Sequence, residues 1–533
     1  MPRFRGPEWA WLLAVGVFAV AVNALVVTLN PPVPRIHDEF SYLLSADTFR
    51  SGRLTNPTHA HWPHFETMHV IHQPSYASKY PPGRGLLLAG GWLAIGTPLA
   101  GVCFATGLAT VACVWMLRAW MPLRWAMIGG LLVALHTGVQ LQWGASYWGG
   151  GLAMAAGATA IGASARLAAA RLAAARQLLL SSTLLGVAAV ALAVTRPFEG
   201  VLLLAGSSLV VGVSWLRGEG TPWGKIATRV LPPLGVIGAF GIAGLLAYNH
   251  AVTGEMLRMP YQVHESEYGA TPLFLWQTPD TGHTYRHQPL ARYHLAASMW
   301  WYDHQQSLSD LVTMKAWLTK CSLEFFLATP VALALLATGW VRRQTLWPWL
   351  GVGLVVWAVS CGAVWMFPHY LAPAAPLLLL ALVAGLRSLR TIERRLPSGR
   401  RWITPSLLVL HAVVFAFAAI DYAKRPRSSW AHARAAFAQK LQQTPGDDLV
   451  FVHYADDHNV HDEWVYNRAD IDNAPIVWAR EISESADDRL RNYFADRNAW
   501  TVYADEQPIR IEPRNATPPA IANAAASTPL AGG

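Results

Sequence analysis

Apolar residues in this chain gather in long runs, separated by short basic segments and a few long polar ones. The runs fall at 9–29, 98–117, 124–142, 147–165, 178–195, 198–216, 230–249, 322–341, 346–366, 370–387 and 403–420. A helix of about 20 apolar residues crosses the hydrocarbon core of a bilayer. The pattern therefore predicts a polytopic α-helical membrane protein of about eleven spans. The first run follows Arg3 and Arg5, and no small-residue cleavage site comes after it, so it reads as a retained helix rather than a cleaved signal.

Lysine and arginine orient the spans. With the N-terminus in the cytoplasm, every second connection is basic: Arg118 and Arg124; Arg166, Arg171 and Arg176; Arg217, Lys225 and Arg229; Arg342 and Arg343; then the stretch 387–401. Cytoplasmic loops carry such an excess. The alternation holds only if the apolar stretch 85–95, which is too short to span and is closed by Gly96, is an interfacial or re-entrant helix on the outer face. That face then receives the loops 30–84 and 250–320 and the short segments 142–148, 195–199 and 367–370.

Residues 1–422 thus form a transmembrane domain, and residues 423–512 read as a small extracytoplasmic α/β domain. Strands are expected at 448–453 and 500–503 and a helix at 483–498. Residues 513–533, rich in Ala, Pro and Thr, read as a disordered tail.

Composition agrees with the runs. Hydrophobic residues make up 53% of the 533 and charged residues only 14%, against about 25% charged in soluble domains. A disordered chain, a fibrous chain and a water-soluble enzyme are excluded. The net charge of +9 is uneven: residues 1–420 carry 29 Lys/Arg and 15 Asp/Glu, whereas residues 421–533 carry 12 and 17. The basic residues are dispersed among short loops, which argues against nucleic acid as a partner. Cys103, Cys113, Cys321 and Cys361 lie in or beside apolar runs and read as small packing residues. Cys321 and Cys361 would bridge only if both lay near one membrane face.

Candidate chemistry sits at the outer ends of the runs. Asp38 and Glu39 follow the first span; acids there suit a helix N-terminus or a general base that takes the proton of an attacking hydroxyl. The same loop holds His59, His61, His64, Glu66, His69 and His72. Their spacing fits no fixed metal motif, so no metal site is assigned. His69 and His72 remain weak candidates should a divalent metal be used. Lys79 and Arg84 flank Pro81 and Pro82, and cations so placed suit a lipid phosphate. Arg196, paired in sequence with Glu199, is a charge at membrane depth on the side where basic residues are otherwise scarce. His369 and Tyr370 occupy a further outer end, as phosphate hydrogen-bond donors or interface anchors.

Together these residues resemble the GT-C superfamily of membrane glycosyltransferases. The resemblance is to the protein O-mannosyltransferase and lipid A aminoarabinose transferase branches, and to bacterial GT-C-like proteins of unassigned substrate. It rests on the stretches from Asp38 to Pro57, from Ser146 to Gly151, from Thr195 to Gly200 and from Glu463 to Asp472, and it covers most of residues 30–480. It implies a bacterial inner-membrane enzyme that performs an inverting transfer on the outer face, from a polyprenyl-phosphate sugar to an envelope lipid, glycan or protein. Asp38 or Glu39 corresponds to the family's base, and Lys79, Arg84, Arg196, His369 and Tyr370 are expected at the donor phosphate.

The chain departs from the family where Ser78 replaces an acid and Tyr80 is inserted before Pro81, and no acid lies in 142–148. Any divalent metal is therefore in doubt. Two other readings stay open on sequence alone. One is a transporter or flippase of a lipid-linked glycan, although two related halves with broken helices are not seen. The other is a non-catalytic envelope-assembly partner.

Overall fold

The computed structural model describes residues 7–169, 174–217, 223–340, 346–395 and 402–514. The expected tail beyond residue 514, Arg171, Arg342 and Arg343, and the basic stretch 396–401 lie outside the described residues. The chain opens with α1 (Glu8–Leu29), α2 (His37–Arg50), and a short hairpin of β1 (Val70–Ile71) and β2 (Ala77–Ser78). Then follow α3 (Gly83–Ile95), α4 (Pro98–Leu117), α5 (Leu123–Ala134), α6 (Gly151–Ala168), α7 (Ala175–Ala193) and α8 (Pro197–Leu216). A π-helical turn joins α9 (Trp223–Lys225) to α10 (Leu231–Thr253). The second polar loop contains α11 (Pro260–Tyr268), α12 (Gln288–Arg292) and α13 (Met299–Asp303). Next come α14 (Leu308–Leu327), α15 (Trp347–Ser360), α16 (Ala375–Glu393), α17 (Ile403–Lys424) and α18 (Trp430–Leu441). The chain continues through β3 (Asp448–His453), β4 (Ile476–Arg480), α19 (Glu484–Tyr493), β5 (Asn498–Tyr503) and β6 (Arg510–Pro513).

This is a multi-pass membrane protein, but the eleven expected spans are not all matched. Among the described residues seven helices are long and apolar enough to cross a bilayer, or eight if α14 and the 3-10 helix Pro330–Trp340 count as one broken span. The expected span at 322–341 is two pieces bent by 103°. The one at 124–142 ends at Ala134 and gives way to a π-helical turn, Gly138–Trp143. The one at 346–366 stops at Ser360. Apolar runs report burial in lipid or protein, and they do not report where a helix breaks.

The stretch expected to be interfacial is the 13-residue α3. Gly96, at φ +81°, caps it in the left-handed region that glycine enters without a Cβ clash. Thr97 then caps α4. The two helices meet backbone to backbone: a Cβ on Gly91 would come within 2.0 Å of the Gly101 nitrogen. Leu86, Leu93 and Ile95 are left exposed.

At the opposite end from α3, Arg118 pairs with Glu8 at 2.8 Å, joining the start of α1 to the end of α4. All four cysteines are unbridged.

The C-terminal residues form a four-stranded sheet in the order β4-β3-β5-β6, with β6 antiparallel to β5 and the other pairs parallel. Sequence patterning missed β4 and β6, and the expected helix 483–498 ends at Tyr493. Nor does packing divide at residue 422. Leu449, Phe451, Val477 and Leu490 share one core with Phe40, Leu44, Phe65 and Val70 of the first long polar loop. The Asp47 carboxylate accepts from the Ala469 amide at 3.0 Å across that seam.

Candidate active site

A cavity of about 500 Å³ lies where the two long polar loops, the ends of α7 and α10, and the segment before α16 converge. Ile36 is extended and α2 begins at His37, which sets Asp38 in the first turn, against the cavity. Asp38 Oδ1 accepts from His69 Nδ1 at 2.8 Å and from the Tyr80 hydroxyl at 2.6 Å, while Oδ2 has no hydrogen bond among the described residues. Burial alone would raise this carboxyl, but the hydrogen bond and charge of His69, with Tyr80, hold it well below the usual carboxylate range.

Glu39, its neighbour, points elsewhere. Its two oxygens accept from the backbone amides of Arg35 and Tyr147, both at 2.9 Å. Burial pushes it up to about 7 against those bonds. Adjacent helical residues point about 100° apart, and only the first of the two acids faces the cavity.

The expected phosphate ligands divide in the same way. Lys79, Arg196, His369 and Tyr370 line the cavity. Arg84 does not. Its buried guanidinium donates to the carbonyls of Tyr147 (2.8 Å) and Ser146 (3.1 Å), so Arg84 and Glu39 together clamp the 142–148 segment from either side. Pro197, at the first position of α8, ends the α7–α8 turn with Arg196 over the Tyr370 ring, 4.4 Å from its centroid. Among the described residues no hydrogen bond or ion pair holds that guanidinium. Glu199 lies one turn on, and His369 meets Trp148 edge to face at 4.2 Å.

Sequence reasoning missed Glu265. It sits on α11 in the second long polar loop, 3.6 Å from the Lys79 ammonium, and lines the cavity. Burial opposes its charge, yet Lys79, then His264, pulls it down to about 2. Burial in turn lowers Lys79, partly offset by Glu265 and Asp38. The loop segment around Glu265 has no motif spacing to mark it, so only its approach to Lys79 identifies it. Tyr293, and His461 from the C-terminal region, complete the wall beside His69.

Of the two weak metal candidates, His69 is committed to Asp38. His72 is buried away from the cavity, stacked on Trp62 and Tyr76. No group of three or more His, Cys, Asp or Glu able to hold a metal occurs among the described residues. Asp38 Oδ1 already accepts from two donors, and Glu265 is paired with the Lys79 ammonium, which would oppose a cation at that carboxylate.

No protein-family model matches the chain, and no curated protein matches its sequence. Among solved structures it is similar to ArnT from Cupriavidus metallidurans bound to undecaprenyl phosphate, at 14% identity and a TM-score of 0.53, over 93% of each chain. Apo ArnT is similar at 12% identity and 0.52, with the same coverage. The apo oligosaccharyltransferase of Archaeoglobus fulgidus follows at 12% identity and 0.44, covering 93% of this chain and 69% of that one. The two-way coverage with ArnT shows the fold: this chain has the overall architecture of ArnT.

Proposed function

We propose that this protein is a membrane glycosyltransferase that moves a sugar from a polyprenyl-phosphate donor to an envelope acceptor on the outer face of a bacterial inner membrane. The observation that carries the reading is the cavity itself. It brings together a guanidinium stacked on Tyr370, a buried ammonium paired with Glu265 and an ionised, hydrogen-bonded aspartate, at the polar end of a helical bundle.

Lys79 and Arg196 would hold the phosphate and stabilise the charge that gathers on it as the bond to the sugar breaks. His369 and Tyr370 complete that side. The acceptor hydroxyl attacks the anomeric carbon opposite the phosphate, with inversion, and gives up its proton on the side of Asp38 and His69. The ArnT structure with undecaprenyl phosphate is a precedent for such a lipid in this fold. The test is release of undecaprenyl phosphate from undecaprenyl-phosphoryl hexoses and pentoses by the purified protein, supplied with an envelope extract as acceptor. Mass spectrometry of envelope lipids and glycans with and without the gene should show the matching product.

Phosphate recognition makes a sharper expectation. A charge-assisted hydrogen bond contributes about 1.5–3 kcal/mol, so Arg196→Ala should weaken undecaprenyl phosphate binding roughly tenfold or more. Arg84→Ala, which removes a clamp and no ligand, should leave that affinity near wild type and lower the melting temperature instead. Binding measured in nanodiscs checks both, and an unchanged affinity in Arg196→Ala rejects its role.

Orientation is tested separately. A reporter active only in the cytoplasm, fused after Arg514, should stay silent. Strong signal there would place the cavity on the wrong side for an outer-face transfer.

A further inference from the structure

We propose that His69, rather than Asp38, is the group that finally holds the proton removed from the acceptor, with Tyr293 as its conduit and Asp38 as its positioning residue. This rests on the glycosyl-transfer reading above.

The hydrogen-bond roles follow from the carboxylate. An ionised carboxylate only accepts, so the His69 nitrogen 2.8 Å from Asp38 Oδ1, which is Nδ1, carries a proton. In a neutral imidazole Nε2 is then bare and must accept, and it receives the Tyr293 hydroxyl at 2.9 Å. The result is an oriented line from Asp38 through His69 to Tyr293, and all three side chains line the cavity. A carboxylate fixing the tautomer of an imidazole, whose far nitrogen takes the proton, is the logic of acid–imidazole pairs in acyl transfer.

The backbone around His69 is built for this placement. Among the described residues His69 is the single non-glycine with positive φ, at +63°. A residue with a Cβ adopts that region at a cost, and such strain persists where surrounding structure enforces it. Ser41 Oγ donates to the His69 carbonyl at 2.6 Å, and the Lys79 amide donates to the same oxygen at 3.3 Å. Ser78 braces Ser41 at 2.7 Å. Tyr80 bonds Asp38 at 2.6 Å and lies 2.9 Å from His69 Nδ1. Ser78 and Tyr80 are thus both spent on holding the His69–Asp38 pair.

The step balances without a co-reactant. The acceptor oxygen forms a bond to the anomeric carbon, and the carbon–oxygen bond to phosphate breaks with its electron pair on the phosphate. The acceptor proton passes to the Tyr293 oxygen as the Tyr293 proton passes to His69 Nε2. The imidazolium so formed lies against the Asp38 carboxylate.

The experiment uses His69→Gly and His69→Asn in the full-length protein in nanodiscs, because both residues tolerate positive φ and spare the loop. Undecaprenyl phosphate binding and release of undecaprenyl phosphate from undecaprenyl-phosphoryl sugars are read side by side. Both variants should bind the lipid within about twofold of wild type and lose about 10²–10⁴-fold in transfer rate. Added imidazole should restore transfer to His69→Gly, which leaves a ring-sized space beside Asp38, and not to His69→Asn. Tyr293→Phe should lower the rate at saturating donor with little change in donor affinity. Near-full transfer by His69→Asn, or no imidazole rescue of His69→Gly, would overturn the assignment while leaving the transferase reading intact. No transfer by the wild type from any of these donors would overturn the transferase reading itself, and this inference with it.

Discussion

Asp38→Asn is expected to lower transfer about 10²–10⁴-fold, the range lost when general-base assistance is removed, with little change in undecaprenyl phosphate affinity. The substitution keeps the shape of the side chain and one acceptor oxygen, so the Tyr80 and His69 contacts can persist. What it removes is the negative charge. That charge sets the His69 tautomer and stabilises the imidazolium formed when the acceptor proton arrives. Glu39→Gln should cost far less in turnover of the folded protein, because the Glu39 carboxylate is engaged by the Arg35 and Tyr147 amides and not by the cavity. Turnover and lipid binding by purified variants, each normalised to folded protein, separate the two acids. Equal losses in Asp38→Asn and Glu39→Gln would reject the assignment of roles.

Glu463→Gln should destabilise the C-terminal sheet and the loop it packs on by about 3–5 kcal/mol, the cost of leaving a buried ion without its partner. Glu463 and Arg480 meet at 2.6 Å with both side chains almost fully buried, and burial is outweighed by Arg480 in holding the carboxyl low. Tyr454 and the Val465 amide also donate to Glu463. Arg480 in turn donates to the Glu66 carbonyl, tying the C-terminal sheet to the first long polar loop. The loss should therefore appear as proteolytic release of residues beyond α17 and as a lower melting temperature. A double variant, Glu463→Leu with Arg480→Leu, should recover part of the loss, because no buried charge is left unpaired. A Glu463→Gln protein that melts with the wild type would show that the pair contributes nothing to holding the sheet.

Composition and patterning determined what depends on local burial. Long apolar runs marked the membrane helices, short basic loops marked one end of the bundle, and the short apolar run within 448–453 marked β3. The acid after the first span and the Lys79–Pro82 segment also stood out, because their residue types are costly near a bilayer unless something uses them. The tertiary structure decided what depends on partners far apart in the chain. Asp38 and Glu39 are alike in sequence, and only the fold turns one to the cavity and the other to the Tyr147 amide. Arg84 has the composition of a phosphate ligand and the position of a clamp. Glu265 carries no local signal, since its meaning comes from an ammonium 186 positions earlier. The break at the foot of α14 and the strain at His69 are likewise set by neighbours. Hydropathy records whether a residue leaves water, whereas charge pairing, helix breaks and strained backbone record which residue it meets when it does.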